Sequence, residues 1–451
     1  MKFLCHAGPW SDSYLSKIIK EIDNRNNSII LSAHKGVDCS GVIGLYYENL
    51  KKYKNKKFFT NSLDEDIILR CRLLRSLSKD LALLHLNSMR DAIREVIEDF
   101  NPDIVISETI DSYIMDILFF ESKSRKIPFI GLVTVFLNGY FRISARGEYN
   151  FVRVPDQQEV LNTLELLEKK DYLPSFVQKD KVKPSKAILR KWIRNIVKIP
   201  YFSLKRLYSG DFYNYHYWQS VIVSKQWFHL FPKFEIGNKK WENELKSVDK
   251  TVIYVPLQMI PEATVDYWCD TTEVINYNDT LLEFIKSHSD LHFLIKEHPN
   301  VIGYRNPLLY KQLESQNNVT ICPTQVHSNN LFNSYSAVLV WTGTVGFESA
   351  LRGKPVLCLS HPYYFPDNTY FKLIKTTTTT KEINEYINSK PAMLSHEEKI
   401  KLVTHLLSGV ATGNLKVDGT WDETSQNDFC NMKILAASLK AYIKSRKFNV
   451  E

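Results

Sequence analysis

The stretch VLVWTGTVGFESALRGKPVL, residues 338–357, decides the fold of this chain. It begins with a run of apolar residues, passes through a turn of small residues, and continues into a short segment that ends at Gly353. A second apolar run follows Pro355. This order predicts a buried strand, a turn, a short helix and a second buried strand, which is the repeating unit of a parallel α/β sheet.

The turn before the helix has a pattern that suits a phosphate group. Thr344 is placed to cap the helix, and Gly353 supplies its left-handed end. A helix that begins on such a turn presents free backbone N–H groups and the positive end of its dipole. Glu348 lies about one turn inside, where its carboxylate could accept hydrogen bonds from a ribose diol. An ordinary strand–helix–strand crossover is the alternative. The candidate phosphate-binding residues are Thr342, Gly343, Thr344 and Gly346.

A second apolar run, LHFLIKEHPN at residues 291–300, ends in a polar cluster. In open α/β sheets, ligands bind outside the carboxyl ends of the strands. Lys296 and His298 would therefore face the same crevice as the turn at 342–346. A cation and a hydrogen-bond donor suit a diphosphate or a nucleoside monophosphate leaving group. A purely structural histidine is the alternative, but a His-Pro pair directly after a strand favours the functional interpretation.

A third segment, VIYVPLQMIPEAT at residues 252–264, predicts a strand that runs into a proline-bounded loop. Its motif PLQ…PEAT is followed along the chain by KEHP at 296–299 and TGTVGFE at 342–348. Together these motifs resemble the bacterial capsular-polysaccharide glycosyltransferases, in the capsule-synthesis family that includes the Kdo transferases. The resemblance covers about residues 250–365 well and the N-terminal half only loosely.

The resemblance implies a fold, a donor and a mechanism. The fold is α/β of the GT-B type, with two Rossmann-like, doubly wound domains that face a cleft. The donor would be a nucleotide-sugar co-substrate, CMP-Kdo or a related CMP-sugar, with no further cofactor. Gln258 and Glu262, in the first motif, are carried over as donor-binding residues. Transfer would work by positioning and by stabilising charge on the departing phosphate without a metal, since the sequence has no paired-Asp motif for a divalent ion.

Length and composition are those of a globular enzyme. A chain of 451 residues is expected to form about two to three domains, and 44% apolar and 24% charged residues are ordinary values. No run approaches the roughly 18 consecutive apolar residues that span a bilayer, and the start is broken too early for a signal peptide. The seven cysteines are scattered and form no CxxC pair, which predicts buried free thiols in a reducing cytoplasm.

Strands alternate with helices in two halves of the chain, which predicts two doubly wound sheets. The predicted division is an N-terminal Rossmann-like acceptor domain at 1–175, a basic and aromatic helical linker at 176–248, a C-terminal Rossmann-like nucleotide-sugar domain at 249–390 and C-terminal helices at 391–451.

The linker has an unusual charge. Between 179 and 206, ten basic residues stand against one acid, a larger excess than the formal +8 of the whole chain. Apolar residues from Ile188 to Val197 fall at helical spacing, and aromatic residues follow as far as Trp218. The pattern predicts peripheral docking of residues 179–218 on an anionic membrane surface. A helical linker with a solvated basic face is one alternative. Nucleic-acid binding is another, but no accompanying motif supports it.

The acceptor side is predicted from one strand end in the N-terminal half. Glu108 ends the apolar strand that begins near Pro102, where a general base for a sugar hydroxyl would need to lie. Asp111 could serve as that base or cap the following helix. Four arginines could form a solvated face or contact an anionic acceptor, namely Arg70, Arg72, Arg75 and Arg142. His361 could line the donor crevice.

The sequence therefore predicts a cytoplasmic glycosyltransferase, peripheral at the inner face of the membrane, that transfers an activated sugar to a capsular or other surface polysaccharide. Its predicted partners are the nucleotide-sugar donor and a glycan or lipid-linked glycan acceptor. Glu108, Asp111 and His298 are the candidate catalytic residues. A nucleotide-sugar 2-epimerase is one alternative, although such enzymes usually have an acidic, double-glycine turn and lack a basic aromatic insert. A non-catalytic scaffold subunit of a capsule-assembly complex is another.

Overall fold

The computed structural model describes residues 1–169, 172, 184–226, 231–301, 305–366, 370–391, 393–416, 421–422 and 424–446, without the side chains of Pro184 and Pro299. The strands in this part of the chain are β1 (Lys2–His6), β2 (Asn27–Leu31), β3 (Ile104–Glu108), β4 (Phe129–Thr134), β5 (Tyr140–Ile143), β6 (Val252–Pro256), β7 (His292–Lys296), β8 (Val319–Cys322), β9 (Ala337–Val340), β10 (Val356–Cys358), β11 (Phe371–Leu373) and β12 (Val410–Thr412).

The helices in the same part of the chain surround the strands and connect them. They are α1 (Asp12–Ile22), α2 (Val42–Tyr53), α3 (Ser62–Arg70), α4 (Lys79–Phe100), α5 (Tyr113–Ser124), α6 (Gln157–Glu168), α7 (Pro184–Tyr208), α8 (Tyr215–Lys225), α9 (Trp241–Lys246), α10 (Ala263–Asp266), α11 (Tyr277–Ser287), α12 (Pro307–Glu314), α13 (Val345–Leu351), α14 (Thr380–Asn388), α15 (His396–Ser408) and α16 (Gln426–Ser445).

The chain forms two compact units, each assembled from segments that are separated in sequence. Unit 1 holds Met1–Arg153, Pro200–Val223 and Ser408–Glu451, and unit 2 holds Val154–Ile199 and Ser224–Leu407. The predicted division followed chain order, whereas in the structure the C-terminal helix α16 packs against α1 and the strand β12 joins the first sheet.

Unit 1 is built on a six-stranded sheet in the order β12-β5-β4-β3-β1-β2. The strands β1 to β4 are parallel, and β5 and β12 are antiparallel additions at one edge. Alternate residues of β1 pack into two hydrophobic cores on opposite faces of the sheet. Leu4 belongs to one core, and Phe3 and Cys5 belong to the other. The order of the strands reverses between β1 and β3, so their carboxyl ends form the topological switch point of this sheet.

Unit 2 is built on a six-stranded, fully parallel sheet in the order β11-β10-β9-β6-β7-β8. The order reverses between β6 and β9. Trp341, directly after β9, is fully buried and donates from its indole nitrogen to the carbonyl oxygen of Val274 at 2.9 Å. The two sheets confirm the predicted fold class of two Rossmann-like, doubly wound α/β units.

Two simpler predictions can be compared with the structure. All seven cysteines are free, but Cys39 and Cys430 are exposed, so the prediction of buried thiols is wrong for these two. Among the helices that the structure describes, none combines the length and the apolar character that crossing a bilayer requires.

A buried ion pair in unit 2 joins the loops that follow two neighbouring strands. Glu297 follows β7, and its side chain and that of Arg305 are both fully buried. The Arg305 guanidinium donates to both carboxylate oxygens, at 2.9 Å for the Nη2–Oε1 contact, and it also donates to the carbonyl oxygen of Gln258, beyond β6. The same carboxylate accepts from the Tyr310 hydroxyl and, at 2.6 Å, from the backbone N–H of His298. The pair therefore fixes both loops.

Replacing Glu297 with alanine tests this pair. Because the substitution leaves the buried Arg305 guanidinium without its partner, we expect the free energy of unfolding to fall by about 3–5 kcal/mol. Urea denaturation provides the measurement. Glu314→Ala is the matched control, since Glu314 pairs with Lys233 at the surface of the same unit, and its loss should stay below about 1 kcal/mol. Equal losses in the two variants would contradict the structural role of Glu297.

Candidate functional site

The strand order brings the three predicted segments of unit 2 to one edge of one sheet. The loops after β6, β7 and β9 carry Gln258, His298 and the turn at 342–346, and β6 lies between the other two strands. Neighbouring strands lie about 4.8 Å apart, so the ends of β7 and β9 are separated by about 10 Å. This is the carboxyl edge at the switch point, where ligands of such sheets bind.

His298 is held as a neutral hydrogen-bond donor. Its Nδ1 accepts a hydrogen bond from the backbone N–H of Asn300 at 3.2 Å, so the ring proton of the neutral form is on Nε2. Burial lowers the pKa of His298 to about 4; the charge of Glu297 raises it, and those of Arg305 and Lys296 lower it further. At neutral pH the side chain is therefore an imidazole that donates from Nε2.

Lys296 is the last residue of β7, and its side chain is buried. Its ammonium nitrogen lies 3.5 Å from the carbonyl oxygen of Thr324, which is the outer limit of a hydrogen bond. Burial lowers the pKa of this lysine, and the nearby Cys322 and Glu297 act in the opposite direction. Among the described residues this is the hydrogen bond that the ammonium group makes, and a buried cation held so weakly can compensate a negative ligand, because its charge is poorly screened.

The turn after β9 is held closely by its neighbours. A Cβ on Gly343 would lie 2.3 Å from the amide nitrogen of the Gln258 side chain, and a Cβ on Gly346 would lie 2.5 Å from the Tyr364 hydroxyl. That hydroxyl donates to the carbonyl oxygen of Gly343. The Thr342 hydroxyl donates to the carbonyl oxygen of Thr264 at 2.7 Å, so its proton is already used within the protein. A Cβ on Gly346 would meet a buried tyrosine and two valines, whereas a Cβ on Gly343 would have to displace only the end of the Gln258 side chain.

The helix after the turn differs in one respect from the prediction. Thr344 is the N-terminal boundary residue of α13, but it has helical backbone angles and its side chain makes no capping hydrogen bond. The predicted cap is therefore wrong. Gly353 has a φ of +77° and ends the helix in the left-handed conformation, as predicted.

Glu348 lies one turn into α13 and is partly exposed. Within the part of the chain that the structure describes, its carboxylate accepts no hydrogen bond. Burial raises the pKa of this group, and Arg352 acts in the opposite direction. A carboxylate that is crowded by protein but accessible on one side can accept hydrogen bonds from a ligand. Glu262, by contrast, already accepts from the Thr264 hydroxyl at 2.6 Å, just before α10.

In unit 1, Glu108 and Asp111 line one cavity of about 80 Å³ at the carboxyl ends of β1 and β3. The side chain of Asp111 forms an ion pair with Arg72, with an Nη2–Oδ1 distance of 2.6 Å. The cap of α5 is Ser112, whose hydroxyl accepts from the backbone N–H of Met115 at 3.3 Å. The capping role considered for Asp111 is therefore wrong, and Glu108 is the better candidate for a base.

The other charged residues of the sequence analysis make contacts within the protein. Arg70 is buried and pairs with Asp66 at 2.9 Å, and Arg142 is buried and donates to the carbonyl oxygens of Gly147 and Glu148 at 3.0 Å each. A solvated face is therefore the wrong interpretation for Arg70, Arg72 and Arg142. Arg75 donates to the carbonyl oxygen of Leu69 at 3.3 Å, among other contacts, and the ring of His361 lies 2.9 Å from the carboxylate of Asp270.

Several residues near these sites were missed by the sequence analysis. Arg305 had no recognisable motif, and Tyr364 gave no signal beyond its place in an aromatic run. In unit 1, His6, Trp10 and His216 line the cavity with Glu108. The only available signal was the position of Gly8 and Trp10 directly after the first strand. Within the described ranges, no group of three or more histidine, cysteine or acidic side chains is placed to bind a metal ion.

Comparison with known proteins gives one family match. Residues 196–367 match the model of the family described as capsule polysaccharide biosynthesis protein. No curated protein matches the chain.

Among solved structures, the chain is similar to KpsC of Thermosulfurimonas dismutans, a beta Kdo 2,7 transferase, at 12% identity and a TM-score of 0.38, over 97% of this chain and 99% of that chain. It is also similar to the UDP-GlcNAc 2-epimerase of Neisseria meningitidis bound to UDP-GlcNAc, at 13% identity and a TM-score of 0.24. This second match covers 98% of this chain and 100% of that chain. At these values the structural likenesses carry no argument about what this chain binds. The family match contains all three motifs, and it confirms the resemblance of residues 196–367 to the capsule polysaccharide biosynthesis proteins.

Proposed function

We propose that this chain is a glycosyltransferase of capsule polysaccharide biosynthesis, which transfers a sugar from a nucleotide-activated donor to a growing surface glycan. One observation carries the proposal: the three motifs inside the family match meet at one sheet edge. There Gln258 lies against the turn at Gly343 and is tied through Arg305 to the loop of His298. The donor implied by the family resemblance is a CMP-linked sugar such as CMP-Kdo.

In the proposed mechanism, the edge of unit 2 binds the donor through its phosphate and ribose. The neutral His298 donates from Nε2 to a phosphate oxygen, and Lys296 supplies a poorly screened positive charge. Backbone N–H groups of the turn at 342–346 add further donors, and Glu348 accepts from the ribose hydroxyls. Negative charge grows on the phosphate as the bond to the sugar breaks, so these groups stabilise the transition state more than the ground state and need no metal for it.

The acceptor half of the proposal belongs to unit 1. An acceptor hydroxyl attacks the anomeric carbon of the donor sugar, the bond between that carbon and the phosphate oxygen breaks, and the hydroxyl proton passes to Glu108. A base for this step must lie within hydrogen-bond reach of the acceptor hydroxyl, and ligands of such sheets bind at the carboxyl ends of the strands. Glu108 ends β3 and lines the cavity described above.

A thermal-shift panel of CMP, CDP, UDP, GDP and their sugars tests the donor site. A ligand that binds only the folded state raises the melting temperature by mass action, so one nucleotide class should give the largest rise. His298→Ala should then reduce turnover of that nucleotide sugar by about 100-fold, as removal of a single charge-stabilising donor does in other enzymes. His396→Ala, at an exposed histidine of the same unit, is the control and should keep full turnover. Equal turnover in both variants would remove His298 from the mechanism.

A second variant tests the assignment of Glu348 to the ribose. Glu348→Gln should weaken binding of the preferred nucleotide by about tenfold, because a charged acceptor is lost. It should not lower the melting temperature of the ligand-free protein, because burial already raises the pKa of Glu348 and disfavours its charged form. The 2′,3′-dideoxynucleotide serves as the control ligand. If the variant weakens that ligand as strongly, Glu348 does not bind the diol.

We further propose that the helix α7 places unit 2 on an anionic membrane. Part of the segment predicted to dock, residues 179–183, lies outside the described residues. Within α7, Ile188 is buried, whereas Leu189, Ile193 and Val197 are exposed at intervals of four residues. A cation follows each of these three, namely Arg190, Arg194 and Lys198. An exposed apolar row beside a row of cations is the pattern of a helix that lies in the interface of an anionic bilayer.

Vesicle flotation tests this surface. The protein should float with vesicles that contain phosphatidylglycerol, less so at high salt, and not with vesicles of phosphatidylcholine alone. The double variant Ile193→Asp, Val197→Asp should lose this binding. The matched control is Leu308→Asp, Met393→Asp, which adds the same charge at exposed apolar residues elsewhere in unit 2. Equal partitioning of both double variants would contradict the docking role of α7.

A further inference from the structure

The cavity in unit 1 has a lining that the proposed chemistry does not use. Besides Glu108 it is lined by His6 and Trp10, which lie at and after the end of β1, and by His216 on α8. Its position is the switch point between β1 and β3, where a sheet of this kind binds ligands. Topology and cavity therefore indicate the same place by independent observations.

Trp10 provides an aromatic surface that solvent can reach. The residue is 42% exposed, although its indole stands edge-on to the rings of His216 and His34, with centroid distances of 5.4 and 6.1 Å. The indole is held against the backbone of Gly8, where a Cβ would lie only 2.5 Å from the ring. A half-exposed tryptophan fixed by a glycine and two imidazoles keeps its orientation, and it leaves apolar area for a ligand.

The histidines of the cavity are neutral. Burial lowers the pKa of His6 to about 4 and that of His216 to about 3. The positive charge that a neighbouring histidine would carry lowers both pKa values further. A neutral imidazole offers one donor and one acceptor, which is the hydrogen-bonding character of a hydroxyl group. The Asp111 carboxylate is compensated by Arg72.

The described lining contains no lysine or arginine. A phosphate or a sugar acid would need such a cation, because an anion taken out of water without one is strongly disfavoured. A neutral sugar ring has the opposite properties. One of its faces presents C–H groups, which are attracted to the electron-rich face of an indole, and its edge presents hydroxyl groups.

We propose that this cavity binds the acceptor through a neutral sugar ring, which stacks on Trp10 and directs one hydroxyl to Glu108. His6 and His216 exchange hydrogen bonds with the other hydroxyls and hold the ring in register. Trp10 is then a residue of acceptor specificity. The inference rests on the proposed function, because Glu108 has a proton to remove only if a sugar is transferred.

Saturation-transfer NMR with the full chain tests the proposal without knowledge of the acceptor. The probes are the methyl glycosides of glucose, galactose and N-acetylglucosamine, with glucuronic acid as the charged comparison. We expect transfer of saturation from the protein to the ring C–H protons of at least one neutral glycoside. Trp10→Ala should bind that glycoside about tenfold more weakly. Trp421→Ala is the matched control, since that indole lies in the same unit against Tyr14, outside the cavity lining, and should leave binding unchanged.

Gly8→Ala gives a second, independent test. It keeps the indole but displaces it from its support, so glycoside binding should weaken while the melting temperature confirms that the variant is folded. The nucleotide-induced thermal shift should survive in all three variants, because the proposed donor site lies in unit 2. Binding of neutral glycosides that Trp10→Ala does not change, or binding of glucuronic acid alone, overturns the inference while the thermal shift upholds the proposed donor site. Absence of glycoside binding to the unsubstituted chain overturns it as well.

Discussion

The buried ion pair between Glu297 and Arg305 is the interaction on which the candidate donor site depends. Each of its partners reaches a different loop, since the carboxylate accepts from the backbone of His298 and the guanidinium donates to the carbonyl oxygen of Gln258. Taking two charges out of water costs several kcal/mol per ion, and the attraction between them repays this only in good geometry. Hydrogen bonds to Tyr310 and to both loops supply that geometry.

The pair also affects the chemistry that the edge can perform. With the carboxylate of Glu297 engaged by Arg305, the positive charge of Lys296 remains available to a ligand. The backbone N–H of Asn300, in the same loop, determines which ring nitrogen of His298 carries the proton. A donor that is oriented before the ligand arrives costs no reorganisation during the reaction. The same arrangement places the end of the Gln258 side chain against Gly343, where an added Cβ would have to displace it.

Much of the fold follows from local sequence, and the failures have identifiable physical causes. Buried parallel strands such as Ile104–Glu108 and His292–Lys296 are continuous apolar runs, so their positions were predicted within one or two residues. The short strands β5, β11 and β12 were missed, because three or four residues carry too little pattern. Glu108 and His298 were identified because they lie at and just after the ends of strands. Arg305 and His216 could not be identified from the sequence. Only tertiary packing brings Arg305 to the loop of His298 and His216 to the cavity beside Glu108.

The two sheet edges differ in a way that the proposed reaction would require. The edge of unit 2 has a buried lysine and a tightly bound arginine beside a neutral histidine, a set that favours a negatively charged ligand. The cavity of unit 1 has an indole and neutral imidazoles beside the carboxylates of Glu108 and Asp111, and the carboxylate of Asp111 is paired with Arg72. A phosphate-bearing ligand is therefore disfavoured in unit 1, whereas a neutral sugar gains little from the cations of unit 2. Charge alone would thus direct donor and acceptor to different units of the chain.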